Sequence, residues 1–135
     1  MLNKIREEFG LEEVDIRGYS PLALAYIGDA VFDQIIRSRI VLEGNVPNEK
    51  LHKRATKYVS AVSQAAIMDT IMDSLTEEEL SIYRRGKNSK PSSTAKNASL
   101  KDYLKATGFE AMIGYLYLNG QEDRIIELIK LGTDL

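Results

Sequence analysis

Two carboxylates hold the most chemical promise in this 135-residue chain, because each stands alone in a stretch without any other charge. Asp29 is the one charged side chain of GYSPLALAYIGDAVF, residues 18–32, and Glu110 is that of ATGFEAMIGYLYLNGQ, residues 106–121. Both stretches are apolar on nearly every side of a helix, a pattern that predicts burial. An ionised carboxylate placed there loses hydration worth on the order of several kcal/mol unless a metal, a base or hydrogen-bond donors offset the loss. Asp29 is therefore expected to have a partner. Gly28 and Ala25 beside Asp29, with Ala106, Ala111 and Gly114 around Glu110, remove the bulk that holds helix axes apart. If the two helices cross there, both acids face one pocket, a hard oxygen-ligand site that suits Mg²⁺ carrying several waters. A second reading of the same residues stands beside it: a buried acid that caps a neighbouring helix or pairs with an arginine such as Arg17 or Arg54.

Other reactive residue types are scarce. His52 is the sole histidine and lies on a basic amphipathic segment, where a surface position is expected. Tyr103, Tyr115 and Tyr117 fall within apolar helical surroundings and read as core rather than as platforms for base stacking. Ser92, Ser93 and Thr94 have no plausible base nearby and read as loop. With no cysteine, a disulfide framework, a thiolate metal site and a cysteine nucleophile are all excluded.

The elements that must position the two acids are helical. Ser20 and Pro21 form an N-cap and first helical residue, opening a helix that runs to about Leu42 and stops at Gly44. Pro47 starts a second segment, through about Tyr58, with Leu51, Ala55 and Tyr58 on one face and Lys50, Lys53, Arg54 and Lys57 on others. A third, about Ser60 to Ser74, repeats Val62, Ala65, Ala66, Met68 and Met72 at helical spacing. Thr76 with Glu79 forms a capping-box pattern for a short helix ending near Gly86. Residues 86–97 (GKNSKPSSTAKN) read as an exposed, mobile loop. A long helix then spans about Ser99 to Asn119 with Gly120 as its stop, and Glu122 to Leu131 makes a last amphipathic helix. The inventory is all-α, in one domain covering residues 1–135.

A formal net charge of −2 gives no hint of a nucleic-acid partner. The distribution does: from Arg84 to Lys105 the chain carries Arg84, Arg85, Lys87, Lys90, Lys96, Lys101 and Lys105 against the single acid Asp102. Such a run is either a solvated face or, beside a carboxylate metal site, a set of phosphate contacts. The N-terminus lacks the apolar run of a signal peptide, and no stretch supplies the roughly 20 apolar residues of a membrane span. A soluble protein of a reducing cytoplasm is expected.

ALAYIGDAVF, residues 23–32, and ATGFEAMIGYLYLNG, residues 106–120, resemble the two signature stretches of the ribonuclease III catalytic domain. Gly-Asp-Ala is a weak pattern alone, but followed downstream by Phe-Glu-Ala, Ile-Gly and Tyr-Leu it becomes specific, and the resemblance spans nearly the whole chain. Ala-Tyr-Ile-Gly-Asp and Thr-Gly-Phe-Glu are similar to a compact branch of that family without an appended double-stranded-RNA-binding domain, and a chain ending at Leu135 is expected to have none. The resemblance implies an all-α, ribonuclease III endonuclease-domain-like helical bundle that works as a homodimer. It further implies carboxylate-bound Mg²⁺, for which Mn²⁺ can substitute, and hydrolysis of double-stranded RNA to 5′-phosphate and 3′-hydroxyl ends. By position, Asp29 matches the family's metal-linked aspartate and Glu110 the glutamate of the downstream motif, so both are expected to be metal ligands and catalytic. The family's further acids fall in line with Leu22, Ala25 and Thr107, where this chain has none. RRGKNSKPSSTAK, residues 84–96, matches a loop that the compact branch uses against RNA, which makes Arg84, Arg85, Lys87, Lys90 and Lys96 the expected RNA contacts. The branch also implies maturation of the ends of precursor 23S ribosomal RNA, with a ribosomal protein presenting the substrate and no membrane involved. Two alternatives remain open at this point: a catalytically inactive duplex-RNA-binding module on the same fold, and a helical interaction protein whose acids are structural.

Overall fold

The computed structural model describes residues 1–89 and 99–135, and among these it contains helices and no strand. In chain order they are α1 (Leu2–Glu8), a 3-10 turn at Ile16–Gly18, α2 (Pro21–Val41), α3 (Asn48–Val59), α4 (Ala61–Ile71), a 3-10 turn at Met72–Ser74, α5 (Glu77–Lys87), α6 (Leu100–Leu118) and α7 (Glu122–Gly132). The expected starts follow from their caps. The Ser20 hydroxyl accepts from the Ala23 amide at 3.2 Å ahead of Pro21, and the Ser99 hydroxyl accepts from the Asp102 amide at 3.1 Å. The capping box is complete: Glu79 N–H donates to Thr76 Oγ1 at 3.1 Å and Thr76 N–H to Glu79 Oε1 at 2.8 Å. Gly120, at φ 75, ends the run of α6 in a conformation that favours glycine.

Helix α6 is the axis of the bundle. It packs most extensively on α2, then on α5 and α4, and α7 closes the far side against α4 and α6. Its residues Ala106 to Phe109 and Ala111 to Tyr117 are buried, as expected of a helix apolar all round. Phe32 of α2 and Phe109 of α6 meet edge to face, ring centroids 5.2 Å apart at 88°, in the middle of the core. No helix among the described residues is long and apolar enough to cross a membrane.

Three expectations need correction. Helix α2 is not buried on every side: Tyr26 is 84% exposed, Leu22 is 42% exposed, and Asp29 and Ala30 also face solvent. Helix α5 ends at Lys87, within a residue of the expected end near Gly86, but Gly86 is not its stop. It lies buried inside the helix, where a Cβ would sit 2.8 Å from Gly108 Cα and 2.9 Å from Ala111 Cβ, so glycine is there to let α5 approach α6. Helix α1 has no counterpart in the sequence reading, because none of its residues is buried and it carries no core-facing stripe to betray it. Most of the loop expected at residues 86–97, including Ser92, Ser93 and Thr94, lies outside the described residues.

Candidate active site

The crossing of α2 and α6 builds the site. A Cβ added to Gly28 would overlap the Glu110 carbonyl oxygen and lie 2.7 Å from its carbonyl carbon and 2.8 Å from the Gly114 nitrogen. On the other side, a Cβ on Gly114 would overlap the Leu24 carbonyl oxygen and lie 3.1 Å from the Gly28 nitrogen. The two backbones touch, which only a glycine on each helix permits. Asp29 directly follows Gly28 and Glu110 precedes Gly114 by one helical turn, so backbone contact brings the two carboxyls to one place. They lie within hydrogen-bonding reach of each other.

Their surroundings differ. Asp29 stands at the exposed rim, while Glu110 is half-buried. Burial first, then the hydrogen bond with Asp29 and its negative charge, push the Glu110 carboxyl up to about 8. The desolvation penalty anticipated for Asp29 thus falls on Glu110 instead, because the α2 face carrying Asp29 is open. Gln64 of α4 opposes the shift: buried to 2% exposure, with its side-chain N–H donating to the Val59 carbonyl at 3.5 Å, it lies close enough to Glu110 to favour the charged form. Sequence reasoning missed Gln64. Its signal was slight, a lone amide among the apolar residues of AVSQAAIMDTI.

The arginines offered as structural partners are engaged elsewhere. Arg17 pairs with Asp15 at 2.9 Å and Arg54 approaches Glu43 at 3.6 Å. Among the described residues neither Asp29 nor Glu110 takes part in an ion pair with a base. The same residues contain no group of three or more acids and histidines suited to a metal ion, so the site offers two carboxylates. That donor set fits Mg²⁺, which commonly takes one or two carboxylates and fills its remaining positions with water and substrate phosphate. Leu22, Ala25 and Thr107, at the positions of the missing acids, are respectively exposed, buried and buried, and the Thr107 hydroxyl donates to the Tyr103 carbonyl at 3.1 Å.

The basic residues are only partly in view. Arg84 and Arg85 are exposed and Lys87 is half-buried at the end of α5, whereas Lys90 and Lys96 lie outside the described residues. Gly86, between these cations, seats the end of α5 against Thr107, Gly108 and Ala111, on the face of α6 adjoining Glu110. Arg85 is not simply free: its guanidinium donates to the Arg17 carbonyl at 3.4 Å and the Tyr19 carbonyl at 3.2 Å. His52 is exposed on α3 and Tyr115 and Tyr117 are buried, as expected, while Tyr103 is half-buried.

Comparison with known proteins matches residues 22–121, the span that contains α6, all of α2 but its first residue, and the whole crossing, to the model of the ribonuclease III domain. The chain belongs to the ribonuclease III domain family. As a member of it, the protein is an endoribonuclease of all-α fold. Relatives named Mini-ribonuclease 3 include one from Brevibacillus brevis, 49% identical over 82% of this chain and 83% of its own, and one from Clostridium tetani, 43% identical over 96% and 85%. Among solved structures, a crystal structure of a Fusobacterium nucleatum protein superimposes with a TM-score of 0.79 at 35% identity, covering 87% of this chain and 94% of that one. Asp29 and Glu110 both lie within the matched span.

Proposed function

We propose that the chain is a Mg²⁺-dependent endoribonuclease that cuts double-stranded RNA as a homodimer, with Asp29 and Glu110 as its metal-holding, catalytic residues. The observation that carries this reading is the backbone contact at Gly28 and Gly114, which brings the chain's two isolated acids within reach of each other. When bound, Mg²⁺, or Mn²⁺ in its place, acidifies a water and stabilises charge on the phosphate and the leaving oxygen. Asp29 and Glu110 would hold it. Glu110 keeps its proton at neutral pH in the metal-free protein and gives it up as a cation arrives, so binding releases a proton. Gln64 favours the charged form of Glu110 from the buried side. The products are 5′-phosphate and 3′-hydroxyl ends.

Arg84, Lys87, Lys90 and Lys96 supply phosphate contacts whose strength falls with salt. A-form RNA presents 2′-hydroxyls in a wide, shallow minor groove, so shape is read more than sequence. The exposed Tyr26 and Leu22, one turn apart on the α2 face that carries Asp29, are covered by a second copy of the chain, which sets two sites against two strands. In the cell we place the enzyme in the cytoplasm, maturing the ends of precursor 23S ribosomal RNA that a ribosomal protein presents.

A labelled RNA duplex incubated with Mg²⁺ or with EDTA tests the reading. The natural chain should cut only with the metal, and folded Asp29→Asn and Glu110→Gln variants should cut at least about 100-fold more slowly. Duplex binding without Mg²⁺-dependent cleavage would make the protein an inactive binding module on the same fold, and the absence of binding would leave the two acids as structural groups.

A further inference from the structure

We propose that Arg85 is a positioning residue that ties the root of the basic segment to the start of the catalytic helix α2, and not a phosphate ligand as its place in that segment suggests. The proposal rests on the reading of Asp29 and Glu110 as the reacting site. Arg85 lies in the last turn of α5, and its guanidinium crosses to the stretch between the 3-10 turn and α2, donating to the carbonyls of Arg17 and Tyr19 at 3.4 and 3.2 Å. Tyr19 immediately precedes Ser20, the cap of α2. One planar fork thus holds two acceptors two residues apart, a task for which an ammonium group lacks the geometry.

Two further contacts make Arg85 a junction. Its own carbonyl accepts from the Ser89 hydroxyl at 2.9 Å, and Ser89 is the last described residue before positions 90–98. Its neighbour Gly86 is wedged against Gly108 and Ala111, which fixes the Arg85 backbone relative to α6 and Glu110. The side chain therefore sets where α2 begins, while the main chain sets where the basic segment leaves. Arg84 supplies the contrast: it sits next to Arg85, is exposed, and makes no side-chain hydrogen bond or ion pair among the described residues. It is the one free to reach a phosphate.

The experiment compares Arg84→Ala, Arg85→Ala and Arg85→Lys in the full chain with three readouts. The first is duplex-RNA affinity across a KCl series in EDTA, the second is kcat and KM with Mg²⁺, and the third is amide hydrogen exchange at Ala23 and Leu24, whose amides bond to Ser20. Arg84→Ala should reduce the salt slope by about one phosphate contact and leave exchange unchanged. Arg85→Ala should keep the slope, lower kcat about tenfold at nearly constant KM, and speed exchange in the first turn of α2. Arg85→Lys should behave like Arg85→Ala. If Arg85→Ala lowers the slope by about one and Arg85→Lys restores it, Arg85 is a phosphate ligand and the proposal is wrong. It is equally wrong if exchange at Ala23 and Leu24 does not change in either Arg85 variant. A natural chain that neither binds nor cuts duplex RNA would overturn the parent reading instead, and the exchange readout would still decide whether the clamp exists.

Discussion

Helices α2 and α6 have the same pattern in the sequence, a long apolar run interrupted by one acid, yet they come to opposite environments. Almost every side chain from Ala106 to Tyr117 is buried, whereas α2 turns Leu22, Tyr26, Asp29 and Ala30 outward. The acids follow their helices: Glu110 is half-buried and holds its proton to about pH 8, while Asp29 is open to solvent. An apolar helix surface needs cover, but the cover can be the chain's own core or another molecule. On α6 it is the core. On α2 the chain itself leaves Leu22 and Tyr26 open, and Asp29 stands at the edge of that opening.

What the two helices share is the crossing, and breaking it should have the largest effect. Gly28→Ala or Gly114→Ala drives a methyl group into the opposing backbone, where no side-chain rotation relieves the overlap. Either should cost at least about 4 kcal/mol or prevent folding, against a few tenths for Gly18→Ala, which meets nothing within 4 Å. Urea unfolding gives the comparison, and a well-folded Gly28→Ala protein would mean that the helices do not touch there.

The acids come next, and they should separate activity from stability. Asp29→Asn and Glu110→Gln are each expected to lower kcat by about 10²-fold or more. Their stability effects in the metal-free protein differ. Glu110 binds its proton more tightly folded than unfolded, with about 8 replacing an ordinary value near 4.5, so its contribution is complete below about pH 4.5 and is lost as pH rises through about 8. Glu110→Gln removes that loss and should raise Tm relative to the natural chain at pH 8.5 but not at pH 4. Added Mg²⁺ should raise the natural chain's Tm more at pH 8.5 than at pH 6, since fewer protons compete. An identical Tm profile for natural and Glu110→Gln proteins across this range would remove the asymmetry between the two sites.

Buried and uncovered apolar groups can be told apart by concentration. Met112→Ala, at a fully buried position on α6, should cost about 2–5 kcal/mol at any protein concentration. Tyr26→Ala on α2 should leave the single chain's fold alone and weaken self-association by about 2 kcal/mol, roughly thirtyfold in the dimer Kd by sedimentation. Tyr26→Ala with unchanged association would place the dimer contact elsewhere.

The contrast also marks what a single sequence reveals. Ser20, Pro21, Thr76, Glu79, Ser99 and Gly120 act locally, and each marks a helix boundary within a residue or two of its place. Small residues beside each acid announced the crossing, because backbone approach depends on what is absent from both partners at once. Exposure of Tyr26 was not legible: an apolar face turned to a core and one left open carry the same residues. Gly86 misled for a related reason, since glycine serves equally to stop a helix or to admit a neighbour, and only the position of Gly108 distinguishes them. Gln64 and the Arg85 clamp depend on contacts between distant segments that leave no local pattern.

The smallest test concerns how firmly each helix begins. Ser20 and Ser99 make the same cap, accepting from the amide three residues on at 3.2 and 3.1 Å, so removing either hydroxyl exposes the same orphan donor at a cost of about 0.5–2 kcal/mol. What lies in the frayed turn differs. After Ser99 come Leu100 and Lys101, both exposed, and four residues on stands Tyr103, only half-buried, so less packing is lost when that turn loosens. Four residues after Ser20 stands Leu24, fully buried, whose carbonyl oxygen sits against Gly114 in the crossing itself. Ser20→Ala should therefore fall near the upper end of that range and Ser99→Ala near the lower end in urea unfolding. Equal costs would mean that the first turn of α2 is held by something other than its cap, and the guanidinium of Arg85 on the Tyr19 carbonyl is the group in position to do it.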